Sequence, residues 1–463
     1  MFTLEQIAAA VSGRVVGPLA ASVCGVSTDS RTVAAGELFV PLVGERFDGH
    51  DFIPSLQENG VKVCLANEGW LAAHQPPDGL TVVAVADTLK GLGDLALAYR
   101  MRFNIPVIGV TGSNGKTTTK EMMATVLEQT GPGLKTEGNL NNLIGLPRMV
   151  FRLLPEHRWA VLEMGMSEPG EIDRLAEIAK PQVGVVLNAF PAHLASMGSV
   201  EAVAKAKGEM LFRVSDHGVA VVNADDPKVS GLPQNPSAGR VSFGINRGEV
   251  RAQDIRNLGI KGQQFMLITP HGNAEVTLAA FGTHNIYNAL ATAAALQELL
   301  PVDAIADGLG RFTPYAGRFR LEQVGGLTLI DDSYNANPAS MGAALATAAE
   351  LKGEGRLFVA LGDMLELGGD EAEMHRMLGV QAAQVADRLY LVGELTAHTA
   401  EGAVSAGMQA DAVVRNNAHA AIADEINKLA RPGDLVLVKG SRGMKMEQVA
   451  LALRKFNESN RGA

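Results

Sequence analysis

The nine residues Thr111-Gly112-Ser113-Asn114-Gly115-Lys116-Thr117-Thr118-Thr119 constrain the fold most, because of what flanks them. Val107 to Val110, just before, is the apolar run of a buried strand, and a helix pattern begins near Lys116. A strand, a glycine turn and a helix in that order aim the free N–H groups of a helix start at an anion. Gly112 and Gly115 lack a Cβ, so the backbone can approach that anion closely. Lys116 is then placed to reach the β- and γ-phosphates, and the Thr117 hydroxyl to coordinate magnesium. The spacing departs from the general GxxxxGK[ST] pattern: Val110 stands five before Gly115, and the first loop glycine, Gly112, only three before it. A plain glycine turn capping a helix is the competing reading. The flanking elements favour a nucleotide site made of Gly112, Ser113, Asn114, Gly115, Lys116, Thr117 and Thr118.

A chain of 463 residues with 47% apolar content has room for about three domains of roughly 150 residues, each with its own core. The predicted division is 1–85, 86–313 and 314–463. The first part mixes short β-rich runs (Leu38 to Leu42, Val61 to Leu65) with polar turns and reads as a small α/β domain. A helix is expected from Asp87 to Phe103. Strands at Val107 to Val110, Trp159 to Glu163, Val183 to Asn188 and Val219 to Asn223 then alternate with helices, which implies a mostly parallel sheet. Val241 to Leu278 reads as β-hairpins and Asn285 to Leu299 as an apolar helix. The last part alternates again, with strands at Leu327 to Ile330, Leu357 to Leu361, Arg388 to Val392, Ala412 to Val414 and Leu435 to Val438, the pattern of a doubly wound, Rossmann-like domain. The fold class expected is α/β, with a central parallel-sheet ATPase domain between a small α/β domain and a Rossmann-like one.

A formal charge of -10 and no Lys/Arg-rich block argue against nucleic acid as a partner. The N-terminus lacks a secretory pattern, no apolar run approaches a membrane span, and Cys24 and Cys64 form neither a disulfide framework nor a zinc spacing. A cytoplasmic protein without membrane insertion is expected, acting as a monomer.

Glu163 ends the strand Val161-Leu162-Glu163, at the sheet edge where open α/β folds bind ligands, and a carboxylate there can hold magnesium. His193 and Lys207 carry no such signal by themselves. Gly91-Leu92-Gly93-Asp94-Leu95-Ala96 fits GxGxxA, but it lies inside the helical pattern from Asp87 rather than at a strand tip, so glycines within a helix explain it better than a dinucleotide site.

Taken together, Thr111 to Glu121 (TGSNGKTTTKE), Thr136 to Pro147 (TEGNLNNLIGLP), Ala204 to Glu209 (AKAKGE), Gly282 to Ala289 (GTHNIYNA), Asp331 to Pro338 (DDSYNANP) and Leu361 to Gly368 (LGDMLELG) resemble the Mur ligases, the ATP-dependent amide-forming enzymes of peptidoglycan precursor synthesis. The resemblance spans essentially the whole chain. It implies ATP on the phosphate loop and magnesium held by Thr117, Glu163, His193 and a carbamylated Lys207, with Lys116, Glu163, His193 and Lys207 carrying the chemistry. A lysine amine that has taken up carbon dioxide becomes an anion, able to orient magnesium where an ammonium would repel it. His193 stands in Pro191-Ala192-His193-Leu194, where several relatives have Asp-His. The resemblance also implies adenine-side contacts from Asn285 and Asn288, and nucleotide contacts from Arg318 and Asp332 of the third domain.

For the acceptor substrate, the resemblance points to Ser27, Thr28, Asp29, Ser30, Arg31, Asp48 and His50 around a UDP portion, and to Asn139 and Asn142 in a substrate loop. Each of these also suits a polar turn. Asn335, Asn337, Lys439 and Arg442, at the strand ends of the third domain, are candidates for the incoming amine. The Asp-Asn-Pro-Arg motif of the diaminopimelate-adding member is absent, and Asn335-Ala336-Asn337-Pro338 favours D-alanyl-D-alanine. The expected reaction joins D-alanyl-D-alanine to UDP-N-acetylmuramoyl-tripeptide through an acyl phosphate, forming ADP and phosphate. Another ligase of the superfamily, such as a tripeptide-forming one or a folylpolyglutamate synthetase, and a nucleotide-dependent switch remain as alternatives.

Overall fold

The computed structural model describes residues 1–18, 22–191, 194–315, 317–365 and 367–459. Three main β-sheets follow one another along the chain. The first is five-stranded, in the order Arg14–Val16, Thr81–Val85, Val63–Asn67, Glu37–Phe39, Gly25–Ser27. Its central strands are buried along almost their whole length, as their Val-rich sequences require.

Helix Thr88–Arg100 joins this sheet to the next. Asp87 caps it, its carboxylate accepting from the N–H groups of Leu89 at 2.7 Å and Lys90 at 3.0 Å. The GxGxxA glycines lie inside this helix, and packing accounts for them. A Cβ on Gly91 would stand 3.0 Å from Leu65, and one on Gly93 2.6 Å from the Arg174 guanidinium.

The second sheet has nine strands, in the order Gly272–Leu278, Gln263–Thr269, Val250–Asn257, Gly239–Gly244, Val219–Asn223, Val183–Val186, Val107–Thr111, Ala160–Glu163, Leu134–Lys135. The expectation of hairpins from Val241 onward holds only from Val250. Gly239–Gly244 pairs parallel with Val219–Asn223 and, at Phe243 and Gly244 alone, parallel with Val250–Asn257. That overlap is short enough for the chain to sidestep without the crossover of about a dozen residues that a full parallel pair requires. Helix Thr283–Leu296 packs on this sheet and is buried on nearly every side, which fits its Ala-rich second half, while its first turns carry the polar residues His284, Asn285 and Asn288.

The third sheet runs Arg320–Val324, Leu327–Asp332, Leu435–Lys439, Leu357–Gly362, Arg388–Val392, Val413–Arg415, parallel throughout except for the first pair. That antiparallel hairpin strand, Arg320–Val324, is an addition to the expected set. The parallel register sets Asp332 beside Lys439 at the carboxyl ends of two neighbouring strands. Among the described residues no helix is long and apolar enough to cross a membrane.

Candidate active site

The phosphate loop leaves strand Val107–Thr111 and turns into helix Lys116–Leu127 at Gly115, whose φ of 85° is left-handed. Only glycine suits this point, because a Cβ would also lie 2.4 Å from Asn288 Oδ1. The loop is braced from the neighbouring strand end. The Asn114 N–H donates to Asn188 Oδ1 at 2.9 Å, and Asn188 Nδ2 donates to the Asn114 carbonyl at 3.1 Å. The Ser113 hydroxyl exchanges hydrogen bonds with the Phe190 backbone. Lys116 folds back over the loop, its ammonium donating to the Gly112 carbonyl at 2.7 Å. Burial pulls its pKa below the usual lysine range against the attraction of Glu163, and the Arg318 cation pulls in the same direction as burial.

Glu163 is buried at the end of its strand and both carboxylate oxygens are engaged. Oε2 accepts from the Thr117 hydroxyl at 3.0 Å and Oε1 from Asn141 Nδ2 at 2.8 Å. Lys207, on helix Val200–Arg213, is buried too, and lines the same cavity. Burial, reinforced by the Lys116 cation, pushes its pKa well below the usual lysine range. His193 lies outside the described residues. Among the described residues no group of three or more His, Cys, Asp or Glu could hold a metal by itself. The Thr117 hydroxyl and Glu163 carboxylate nevertheless suit magnesium, a hard cation that commonly takes one or two protein oxygens and completes its shell with phosphate and water. A carbamate on Lys207 would add an oxygen anion to that set.

These groups face a cavity of about 990 Å³. Asn285 and Asn288 line it but are linked to their surroundings: Asn285 Nδ2 donates to the Phe281 carbonyl, Asn288 Nδ2 to Asn285 Oδ1, and the Thr119 hydroxyl to Asn288 Oδ1. From the third sheet come Arg318, Asp332, Asn335, Asn337 and Lys439. Arg318 Nη2 donates to the Thr117 hydroxyl oxygen at 3.1 Å, and its guanidinium carbon sits 3.9 Å from the centre of the Tyr334 ring. Its Nε is buried with no acceptor among the described residues, a costly state that a phosphate oxygen would relieve. Asn337 and Asn114 exchange side-chain amide hydrogen bonds of 2.6 and 3.3 Å, joining the phosphate loop to the cap of helix Pro338–Leu351. Asp332 accepts from the Phe319 N–H at 3.0 Å and from Lys439 Nζ at 2.6 Å.

A nucleotide loop and a second domain's cations meeting in one cavity is the architecture that a ligase needs, and the sequence comparisons specify which. The Mur ligase middle domain matches residues 110–296, the Mur ligase glutamate ligase domain 317–442, and the Mur ligase family catalytic domain 22–100. The UDP-N-acetylmuramoyl-tripeptide--D-alanyl-D-alanine ligase of Bacillus subtilis is 38% identical over 461 residues, covering 96% of this chain and 97% of its own. The chain belongs to the Mur ligase family. The enzyme of the same name from Escherichia coli is 37% identical over 98% of both chains. Among solved structures, MurF from Acinetobacter baumannii superposes with a TM-score of 0.89 at 32% identity, covering 98% of this chain and 99% of that one. MurF ligase from Thermotoga maritima in complex with ADP gives a TM-score of 0.83 at 28% identity, over 94% and 98%.

In this Mur ligase the first-domain candidates stand apart from the cavity. Asp29 and Arg31 form a two-pronged exposed ion pair, and the Arg31 guanidinium holds the Asp29 carboxyl down at about 2. Ser27, Thr28 and Ser30 share that turn, with the Ser27 hydroxyl accepting from the Asp29 N–H. His50 has another task. Its ring is fully buried, Nδ1 meets Asp48 at 2.6 Å, and Nε2 accepts from the Asn67 N–H at 3.0 Å, so neither nitrogen is left for a ligand. Asn139 is exposed and lies off the cavity lining. Asn142 lines the cavity while its Oδ1 accepts from the Gly145 N–H at 2.8 Å. Arg442 is exposed and lies off the cavity lining, next to Asn335, which belongs to it.

Sequence reasoning passed over Asn141, Tyr334 and His284. Asn141 has a signal, since it sits between Asn139 and Asn142. His284 lines the cavity with its ring edge-on to Phe319. Burial drives its pKa to about 4, against the pull of Asp332 and with the help of Lys439, so it is neutral at physiological pH.

Proposed function

We propose that this Mur ligase joins D-alanyl-D-alanine to UDP-N-acetylmuramoyl-tripeptide at the expense of ATP, as a monomeric cytoplasmic enzyme. The observation that carries the reading is the reach of Arg318, just before the third sheet, to Thr117 in the phosphate loop, with both residues lining one cavity. In this reading residues 1–85 hold the UDP portion, 86–313 the ATP and 314–463 the dipeptide. The near full-length similarity to enzymes of that name supports it.

The terminal carboxylate of the tripeptide attacks the γ-phosphorus of ATP. An acyl phosphate forms as the bond to ADP breaks. Lys116, already held against the loop, and Arg318, with its unpaired Nε, face the oxygens on which charge develops. Bound magnesium would neutralise charge across the β- and γ-phosphates, with Thr117, Glu163, carbamylated Lys207 and His193 as its holders. The free amine of D-alanyl-D-alanine then attacks the acyl carbon, phosphate leaves and a proton is lost from nitrogen. Third-domain contacts to the loop bring the two steps together, so closure of that domain belongs to the cycle.

The test is ATP hydrolysis with each substrate omitted in turn. ADP should accumulate in stoichiometric step with product only when both UDP-N-acetylmuramoyl-tripeptide and D-alanyl-D-alanine are present. Hydrolysis that runs freely without them would instead mark a nucleotide-dependent switch.

A further inference from the structure

Among the described residues, Arg318 and Lys439 line the third sheet's side of the cavity and Arg442 stands beside Tyr334, which also lines it, and their partners sort these three cations. Lys439 is 2% exposed, and its ammonium donates to Asp332 at 2.6 Å and to the Asn335 carbonyl at 3.0 Å. Drawing it away to a ligand would leave the partly buried Asp332 carboxylate with the Phe319 N–H but without its cation, which is unfavourable. Arg318 is committed to the phosphate loop through Thr117. Arg442 is different: its side chain is 66% exposed and its ion contact, to Glu447, is 3.8 Å long. An exposed contact of that length contributes little, so the guanidinium fork is available.

Arg442 is nonetheless not loose. Its guanidinium carbon lies 5.4 Å from the centre of the Tyr334 ring, the ring that also carries Arg318 at 3.9 Å. Its backbone N–H donates to Asn335 Oδ1 at 3.4 Å. Two guanidinium groups would repel one another in the open, and an aromatic face attracts both. Tyr334 thereby fixes the offset between the phosphate side of the cavity and its rim. A D-alanyl dipeptide presents one permanent negative charge, its C-terminal carboxylate, at the end remote from the reacting amine. A planar fork matches a carboxylate in two hydrogen bonds.

Resting on the ligase reading above, we infer that Arg442 binds the C-terminal carboxylate of the incoming dipeptide. Tyr334 is a positioning residue that sets Arg442 relative to Arg318, and Lys439 braces the Asp332 to Asn335 turn without touching substrate.

The experiment compares D-alanyl-D-alanine with D-alanyl-D-alaninamide in the full-length enzyme and in Arg442→Ala, Tyr334→Phe and Tyr334→Leu. Capping the carboxylate should raise the KM of the parent enzyme on the order of 10- to 100-fold, as expected for a charge-assisted pair. Arg442→Ala should show that same rise with the free dipeptide, no further rise with the amide, and an unchanged KM for ATP. Tyr334→Phe should behave as the parent, whereas Tyr334→Leu should raise the dipeptide KM and lower kcat together. An Arg442→Ala enzyme that still prefers the free carboxylate as strongly as the parent overturns the inference. A parent enzyme that turns over ATP but accepts neither dipeptide overturns the proposed function, and this inference with it.

Discussion

Arg318 Nη2 and the Thr117 hydroxyl oxygen are 3.1 Å apart, although 201 positions separate the two residues in the chain. The same hydroxyl donates to Glu163 at 3.0 Å. One oxygen thus links the third domain, the phosphate loop and the carboxylate proposed for magnesium. Arg318→Lys keeps the charge but loses the planar fork and the stacking on Tyr334. We expect kcat to fall on the order of 100-fold, the scale of a lost transition-state donor, with little change in the KM for the dipeptide. Steady-state kinetics decide it, and a kcat close to the parent's would show that the contact is only structural.

Lys207 should give a stability effect and an activity effect of opposite sign. Burial and the Lys116 cation hold its folded pKa far below the ordinary lysine value of about 10.4. Between those two values the unfolded chain binds a proton that the folded chain lacks, so stability rises with pH across that window. In bicarbonate-free buffer near neutral pH, Lys207→Met should therefore melt higher than the parent, by about 2–4 °C per kcal/mol recovered. Ligation should be lost. If the carbamate forms, Lys207→Ala is inactive and short carboxylic acids restore part of its activity; full activity without them would contradict the carbamate.

Asn141 holds one oxygen of Glu163 at 2.8 Å and leaves the other on Thr117. Asn141→Ala should loosen the carboxylate and raise the magnesium concentration needed for half-maximal activity roughly tenfold, the scale of an outer-shell substitution. Binding of manganese in the presence of a non-hydrolysable ATP analogue, followed by electron paramagnetic resonance, should weaken in parallel. Unchanged metal affinity would detach Asn141 from this role.

Asn337 serves two structures at once, capping helix Pro338–Leu351 and pairing with Asn114. Asn337→Asp keeps the cap but loses the amide donor to Asn114, whereas Asn337→Ala loses both. Only the alanine variant should lose about 1 kcal/mol of stability, measured by denaturant unfolding. Both should lower kcat. A normal kcat in the aspartate variant would mean that the amide pair does not guide closure.

Local chemistry explains what the sequence made legible. The phosphate loop follows from glycine's freedom of φ and the strand before it, and the buried parallel strands from their runs of branched residues. Contacts between distant residues were harder to read. Asn141 owes its place to Glu163, and Tyr334 to two arginines on either side of it in sequence. Asp48-Gly49-His50 looked like a ligand turn because a polar turn and a polar cap use the same residue types. The burial of the His50 ring between Asp48 and Asn67 makes it a brace. Strand Gly239–Gly244 reads as part of a hairpin because the short step to Val250–Asn257 resembles one.

The central claim is that one cavity activates a carboxylate with ATP and delivers a D-alanyl dipeptide to it. Its most direct test is the mass of the product formed from UDP-N-acetylmuramoyl-tripeptide, D-alanyl-D-alanine, ATP and magnesium. The account predicts the tripeptide nucleotide plus one dipeptide less one water, with one ADP and one phosphate released for each product. Recovery of the unchanged tripeptide nucleotide alongside consumed ATP, or a product carrying a different amine, would contradict it.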